Sequence, residues 1–226
     1  MGQRWSRLWP QRVFADPVEV ELVAIGLIRT TADDLPQRGH RSVAHLEGWL
    51  SGLDAEGRDG SMRVLAEVLA CRAAYLVVET CGGDIATAKA KLGQEAADAA
   101  EAARLADIPR PAEPTALALT WLGVGALEAA GARSVQVLLD AEHGEWFAGR
   151  WDRFVGAGNA GRAHELLLAL ARIVVASLGC LLEADPARMT AHLDGWAADV
   201  FRSGAGVSWW VPDHPGRLSA EDDSTQ

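Results

Sequence analysis

The longest apolar segment of the chain constrains its fold most strongly. It reads HELLLALARIVVASLGCLLEA from His164 to Ala184, and between Leu166 and Leu182 its only charge is Arg172. A surface helix carries a polar face, so this segment is typical of the buried centre of a helical bundle. As a membrane span it would be at the short limit, with a charge near the middle, where charge is costly. We therefore predict a core helix and no transmembrane segment.

A second segment has the same plan in weaker form. Met62 to about Thr80 is apolar nearly all round, with Ser61 as its expected N-cap and the DAEGRDG run before it as a loop. Gly82-Gly83 should end this helix, and Asp84 should begin the next one. The alanine-rich face of that next helix buries little area per residue, so a peripheral position is predicted.

The remaining helices are marked by their start signals and their apolar spacing. Asp16-Pro17-Val18-Glu19 and Asp185-Pro186 each combine a capping residue with a proline at the first helical position. We expect the second of these helices to bury Met189, Leu193, Trp196, Val200 and Phe201. The stretch Val135–Leu139 alternates like a strand and also fits helical spacing, and no second strand is present to pair with it. The fold class predicted is all-α, with about eight helices in two four-helix halves.

An internal echo connects the two halves. A shift of 101 residues aligns Asp84–Asp98 with Asp185–Asp199 at seven identical positions, of which four are alanines. A shift of 97 residues pairs Pro17 with Pro114 and the WLSG run at Trp49 with the WFAG run at Trp146. A duplicated four-helix unit, packed as a pseudo-symmetric pair, would produce this pattern; two unrelated halves of similar composition are the alternative.

The predicted organisation follows from these signals. Prolines 109, 111 and 114 interrupt any helix and mark the boundary between the halves. The segments are a basic aromatic arm at 1–15, a first helical half at 16–107, a proline-rich linker at 108–114, a second half at 115–203, and a C-terminal strap with an acidic tail at 204–226.

Charge and cysteine content exclude some functions. The net charge of −10 argues against general binding to nucleic acid, which needs a basic face. Three cysteines without a Cys-x-x-Cys spacing are typical of free thiols in a reducing cytoplasm. Arginine makes up 19 of the 21 basic residues, a bias typical of a GC-rich bacterial genome.

One acidic cluster has the composition of a metal site. It spans Asp140 to Asp152, and Glu142 and Glu145 are three residues apart on one helical face. Such carboxylates can hold Mg²⁺ while a phosphate-containing substrate completes the coordination shell. The pair resembles that of the all-α nucleotide pyrophosphohydrolases, but the neighbouring helix lacks the second acidic pair that these enzymes need. A solvated acidic face is the competing interpretation, and no metal or cofactor is predicted.

Two further groups of residues are candidates for binding. Arg72 and Arg172 each lie inside a central helix, where a guanidinium needs a carboxylate such as Glu67 or Glu79, an anion or a route to solvent. Tryptophans near both ends of the chain suit protein contacts: Trp5, Trp9, Trp209 and Trp210. We therefore expect a cytoplasmic helical interaction or regulatory protein with a protein partner or a second copy of itself. A Mg-dependent hydrolase and a small-molecule sensor with a pocket between the central helices are the alternatives.

Overall fold

The computed structural model describes residues 17–34, 40–53, 55–108, 111–129, 144–156 and 159–203. These residues form helices and connecting turns, with no strand among them, which confirms the all-α prediction. The eight helices of the described residues, numbered in chain order, are α1 (Pro17–Asp34), α2 (His40–Leu50), α3 (Ala55–Thr80), α4 (Ile85–Leu105), α5 (Ala112–Ala129), α6 (Gly144–Val155), α7 (Ala160–Leu181) and α8 (Pro186–Ser203).

The centre of the bundle is the pair α3 and α7, which share the most extensive helix contact. α1 and α5 each pack against both members of this pair. α4 lies on α5, α2 and α8 lie on α1, and α6 touches α5 and α7 at the edge. The core is therefore built around two helices that are far apart in the chain.

The more buried of the two central helices is α3, although α7 has the more apolar sequence. Every residue of α3 from Val64 to Glu79 is buried, including the charged side chains of Glu67, Arg72 and Glu79. α7 instead has a solvent-exposed stripe that includes Glu165, Arg172 and Ala176. By length and composition α7 could cross a membrane, yet 56% of its apolar window is buried inside the protein, as in a core helix.

The helix boundaries follow the local signals, with one clear exception. Asp84 caps α4 through Ala86 N and Thr87 N, and Asp185 accepts from the first amides of α8, as predicted. α3, however, begins at Ala55, so the predicted DAEGRDG loop was wrong. Gly57 and Gly60 are buried together with Ser61 and Val64. This spacing places small residues on one helical face, where another element can approach closely.

Other predictions from the sequence agree with the structure only in part. α5 begins at Ala112, inside the predicted linker, because Pro114 lies in the first turn, where its missing N–H breaks no helical hydrogen bond. Phe201 was predicted to be buried and is 69% exposed, whereas Leu193, Trp196 and Val200 are buried as expected. The arm at 1–15, the tail at 204–226 and Val135–Leu139 lie outside the described residues.

The helix pairing is compatible with the predicted duplication. Exchanging the halves would map α3 onto α7, α1 onto α5 and α4 onto α8. The contact of α4 with α5 then corresponds to that of α8 with α1, and the contact of α1 with α7 corresponds to that of α5 with α3. The duplication itself stays a prediction.

Candidate functional site

The acidic cluster expected from the sequence lies mostly outside the described residues. Glu142 falls there, Glu145 is the second residue of α6 but its side chain is not described, and Asp152 is exposed on the same helix. Among the described residues, no group of three or more histidine, cysteine or acidic side chains could hold a metal ion. The hydrolase alternative therefore stays a prediction without geometric support. Trp5, Trp9, Trp209 and Trp210 also fall outside the described part of the chain.

Arg72 is the centre of a buried polar contact between three helices. Its Nη2 donates to Glu21 Oε2 of α1 at 2.7 Å, and both side chains are 4% exposed. The face of Trp196 from α8 covers the guanidinium, with Arg72 Cζ 3.3 Å from the ring centroid. The ion pair and the cation–π contact together join α1, α3 and α8. Because Glu21 already neutralises Arg72, the structure gives no support to an anion site at this residue.

Burial dominates the electrostatics of this contact. It raises the pKa of the Glu21 carboxyl above its ordinary value, against the opposing effects of Arg72 and a hydrogen bond from Trp196. It lowers the pKa of Arg72 to about 10, so the guanidinium remains charged at neutral pH. Burial, and secondarily the charge of Arg72, lowers the pKa of His192 to about 4, which keeps that imidazole neutral beside the ion pair.

The carboxylate partner of Arg72 was not identified from the sequence. The partners considered there, Glu67 and Glu79, lie on the same helix, whereas Glu21 lies on α1, 51 residues away. One signal was present, because Glu21 precedes Ala24, Ile25 and Ile28 on an otherwise apolar face of α1. An acid on an apolar face needs a buried cation or becomes protonated.

Arg172 does not join Arg72. It is exposed on the solvent-facing stripe of α7, and no ion pair involves it in the described structure. The two arginines that the sequence analysis singled out therefore lie in different environments and form no common pocket. The sensor alternative needs another cavity.

Such a cavity is present where the end of α4, the start of α5 and the end of α6 meet. We call it the arginine cleft; its volume is about 680 Å³. α4 and the turn after it contribute Ala100, Ala103, Arg104, Asp107 and Ile108; α5 and the residue before it contribute Pro111, Pro114, Thr115 and Ala118; α6 contributes Arg150, Arg153 and Phe154.

The local backbone explains how these residues come together. α4 ends in a Schellman turn, in which Ile108 N donates to Ala103 O at 2.9 Å and Asp107 has a positive φ of 53°. A left-handed aspartate is tolerated because its short polar side chain adds little crowding. The turn brings Asp107 and Ile108 to the edge of the cleft, and Pro111 lies directly before α5 on the other side.

Among the described residues that line the cleft are three guanidiniums and one carboxylate. Arg104 donates two hydrogen bonds of 2.7 Å to the carboxylate of Glu101, one from Nε and one from Nη2. Arg150 and Arg153 lie one turn apart on α6, are exposed, and have no carboxylate partner among the described residues. The floor is apolar and includes Phe154, which is 6% exposed. On a protein of net charge −10, this is a local positive site able to attract a small anion.

The arginine cleft was not predicted from the sequence. Its three parts are separated along the chain, and the segment IPRPAEP was interpreted only as a boundary. The available signal was the run GRWDRF, in which Arg150 and Arg153 share a helical face beside Phe154. That run indicates a binding cleft only when the facing residues of α4 and α5 are known.

No family model, curated protein or solved structure matches this chain.

Proposed function

We propose that this protein is a helical regulatory protein that binds a small organic anion in the arginine cleft. The observation that carries the proposal is that Arg150 and Arg153, which have no carboxylate partner among the described residues, line a cavity of about 680 Å³ with an apolar floor. Cavities of roughly 300–1,000 Å³ with apolar walls and a few placed polar groups are typical of small-molecule sites. The ligand-binding role is non-catalytic in this proposal, since no nucleophile with an adjacent base accompanies the arginines among the lining residues.

The contribution expected from each arginine is a charge-assisted hydrogen bond. Guanidinium groups bind carboxylates and phosphates through two parallel N–H donors, and they remain charged throughout the physiological pH range. Hydrogen bonds to charged groups contribute about 1.5–3 kcal/mol. Losing one of them should therefore weaken binding about tenfold.

We place the protein in the cytoplasm as part of this proposal. Cys71, Cys81 and Cys180 are all free thiols, which suits a reducing compartment. Burial raises the pKa of the Cys71 thiol well above its ordinary value, so this cysteine should be an unreactive part of the core.

A protein contact is the second candidate function, and it is compatible with the first. Leu105 and Ile108 are 72% and 53% exposed at the end of α4, and Ile108 also lines the cleft. Large apolar side chains at this position would let a bound ligand alter a contact with a partner protein or a second copy. Sedimentation velocity of the wild type and Leu105→Ser tests the second-copy version, which requires a dimer that the variant weakens.

The ligand-binding proposal is tested by thermal unfolding with a panel of organic anions and uncharged compounds of matched size. A compound present at 100 times its Kd stabilises the protein by about 2.7 kcal/mol, which corresponds to roughly 5–10 °C for a chain of this length. The double variant Arg150→Ala/Arg153→Ala should lose the shift, and Arg172→Ala should keep it, because Arg172 is an exposed helical arginine outside the cleft. The proposal fails if no anion raises the unfolding temperature or if all three proteins respond equally.

A further inference from the structure

The chemical class of the ligand can be inferred from how the charges of the arginine cleft are distributed; this inference rests on the proposed function. Arg104 is engaged by Glu101 through both Nε and Nη2. Of the guanidiniums that the structure describes in the cleft, those of Arg150 and Arg153 therefore remain to bind an anionic group. Their spacing of one helical turn places them on the same face of α6, where a single oxyanion could contact both.

Asp107 restricts the charge of the ligand. Its carboxylate belongs to the lining of the same cleft and is not paired with an arginine among the described residues. A ligand with several negative charges would place at least one of them near this carboxylate, and like charges in a shared cleft repel. A head group with one charge, such as a carboxylate or a phosphodiester, avoids that repulsion.

The apolar lining of the cleft indicates that the ligand has an apolar body in addition to its charged head group. Ala100, Ala103, Ala118 and Phe154 belong to the apolar part of the wall, and a cavity of about 680 Å³ is much larger than an isolated carboxylate or phosphate group. An inorganic anion would leave this apolar wall in contact with water. Each methylene that a ligand buries there should tighten binding about fourfold.

We infer that the arginine cleft binds a soluble amphiphilic monoanion, with a carboxylate or phosphodiester head on Arg150 and Arg153 and an aliphatic or aromatic body against Ile108 and Phe154. In this arrangement Arg150 and Arg153 select an oxyanion, the apolar wall selects the body, and Asp107 rejects polyanions such as nucleoside triphosphates. The source of the anion is a free small molecule and not a lipid in a membrane.

The experiment uses isothermal titration calorimetry of the full chain with octanoate, 1-octanol, acetate, octanedioate and ATP. Octanoate should bind at least about 100-fold more tightly than acetate, because it adds several buried methylenes. 1-Octanol and octanedioate should bind at least about tenfold more weakly than octanoate, since one lacks the charged head and the other places a second carboxylate against the apolar wall.

Variants assign each part of the selectivity to its residue. Arg150→Ala and Arg153→Ala should each weaken octanoate about tenfold while leaving 1-octanol unchanged. Ile108→Ser, at a half-exposed position, should weaken both compounds without lowering the unfolding temperature. Asp107→Asn keeps a residue that tolerates a left-handed backbone and should raise the affinity for ATP at least about threefold. Arg172→Ala is the matched control and should not change any of these affinities.

The possible results separate this inference from the proposed function. If ATP binds wild-type protein more tightly than octanoate, and the arginine variants abolish that binding, the amphiphile class is overturned and an anion site remains. If anionic vesicles of phosphatidylglycerol bind but octanoate does not, a membrane lipid replaces the soluble ligand and the inference is overturned. If none of the anions binds, or if the cleft variants bind them as the wild type does, both the inference and the proposed function fail.

Discussion

The buried pair of Arg72 and Glu21 provides a direct test of how this bundle is held together. Removing one partner of a buried ion pair leaves the other charge without compensation and costs about 3–5 kcal/mol. Arg72→Met also removes the cation of the contact with Trp196, which is worth about 2 kcal/mol when desolvated. Methionine keeps similar volume and helix propensity, so the backbone of α3 should persist. We expect Arg72→Met to lose about 3–5 kcal/mol of unfolding free energy, and Glu21→Leu to lose a similar amount.

The double variant Glu21→Leu/Arg72→Met distinguishes ionic pairing from simple packing. Because no buried charge remains, its free energy of unfolding should return to within about 2 kcal/mol of the wild type, the amount assigned to the lost cation–π contact, or exceed the wild-type value. Urea denaturation followed by far-UV circular dichroism gives all four free energies, and a constant urea m-value would show that the compact states are comparable. A loss below about 1 kcal/mol for Arg72→Met would refute the reasoning. So would additive losses in the double variant.

The pH dependence of the single variant gives an independent check. In Arg72→Met, burial still raises the pKa of Glu21 above its ordinary value of 4.5, and the opposing charge is gone. The folded state then binds a proton more tightly than the unfolded state, so stability falls as pH rises above 4.5. The deficit relative to wild type should be smaller at pH 5 than at pH 8. An equal deficit at both values would show that Glu21 does not carry the penalty.

Three further predictions concern titration and packing. Burial lowers the pKa of His192 to about 4, so the free energy of unfolding of the wild type should fall relative to that of His192→Phe by about 1–2 kcal/mol between pH 7 and pH 5 in urea titrations. Burial raises the pKa of Glu67 from 4.5 to about 7, so the contribution of this carboxyl to the free energy of unfolding falls as pH rises through that range. Glu67→Gln should therefore stabilise the protein at pH 8 but not at pH 4.5, and equal effects at both pH values would rule this out. A Cβ on Gly123 would lie 2.8 Å from Ala74 Cβ, whereas one on Gly93 would meet nothing within 4 Å; calorimetry should show a lower unfolding temperature for Gly123→Ala and an unchanged or higher one for Gly93→Ala.

Local signals in the sequence predicted much of the helical architecture. Asp84 and Asp185 begin helices because their carboxylates accept from amides two and three residues away, a contact that needs no tertiary partner. Local signals also explain why a loop was wrongly predicted at Gly57 and Gly60, which lie in α3. Glycines outside a packed protein favour a loop, and only close burial against neighbouring elements makes the helical conformation favourable there.

The arginine cleft could not be predicted from local sequence signals, because it is formed by three separate helices. Arg150 and Arg153 could be placed on one face of a helix from their spacing. The opposite wall comes from Ala103 on α4 and Ala118 on α5, and no pattern within any one of these helices specifies the others. Electrostatic function depends on which charges remain after pairing. The ion pair between Arg104 and Glu101 therefore matters as much as the two arginines that have no carboxylate partner among the described residues.

By itself, the sequence determined that this protein is helical, where most of its helices begin, and that two segments are apolar enough for a core. These properties depend on hydrogen bonds and side-chain spacing within a few residues. Only the tertiary structure decided that α3 is buried more completely than the more apolar α7. α3 is the more polar of the two helices because it contains Glu67, Arg72 and Glu79. Its burial is nevertheless decided by the surrounding helices, since Glu21 of α1 and Trp196 of α8 both contact the guanidinium of Arg72. A charge can enter a core when a distant part of the chain compensates it, and that compensation exists only in three dimensions.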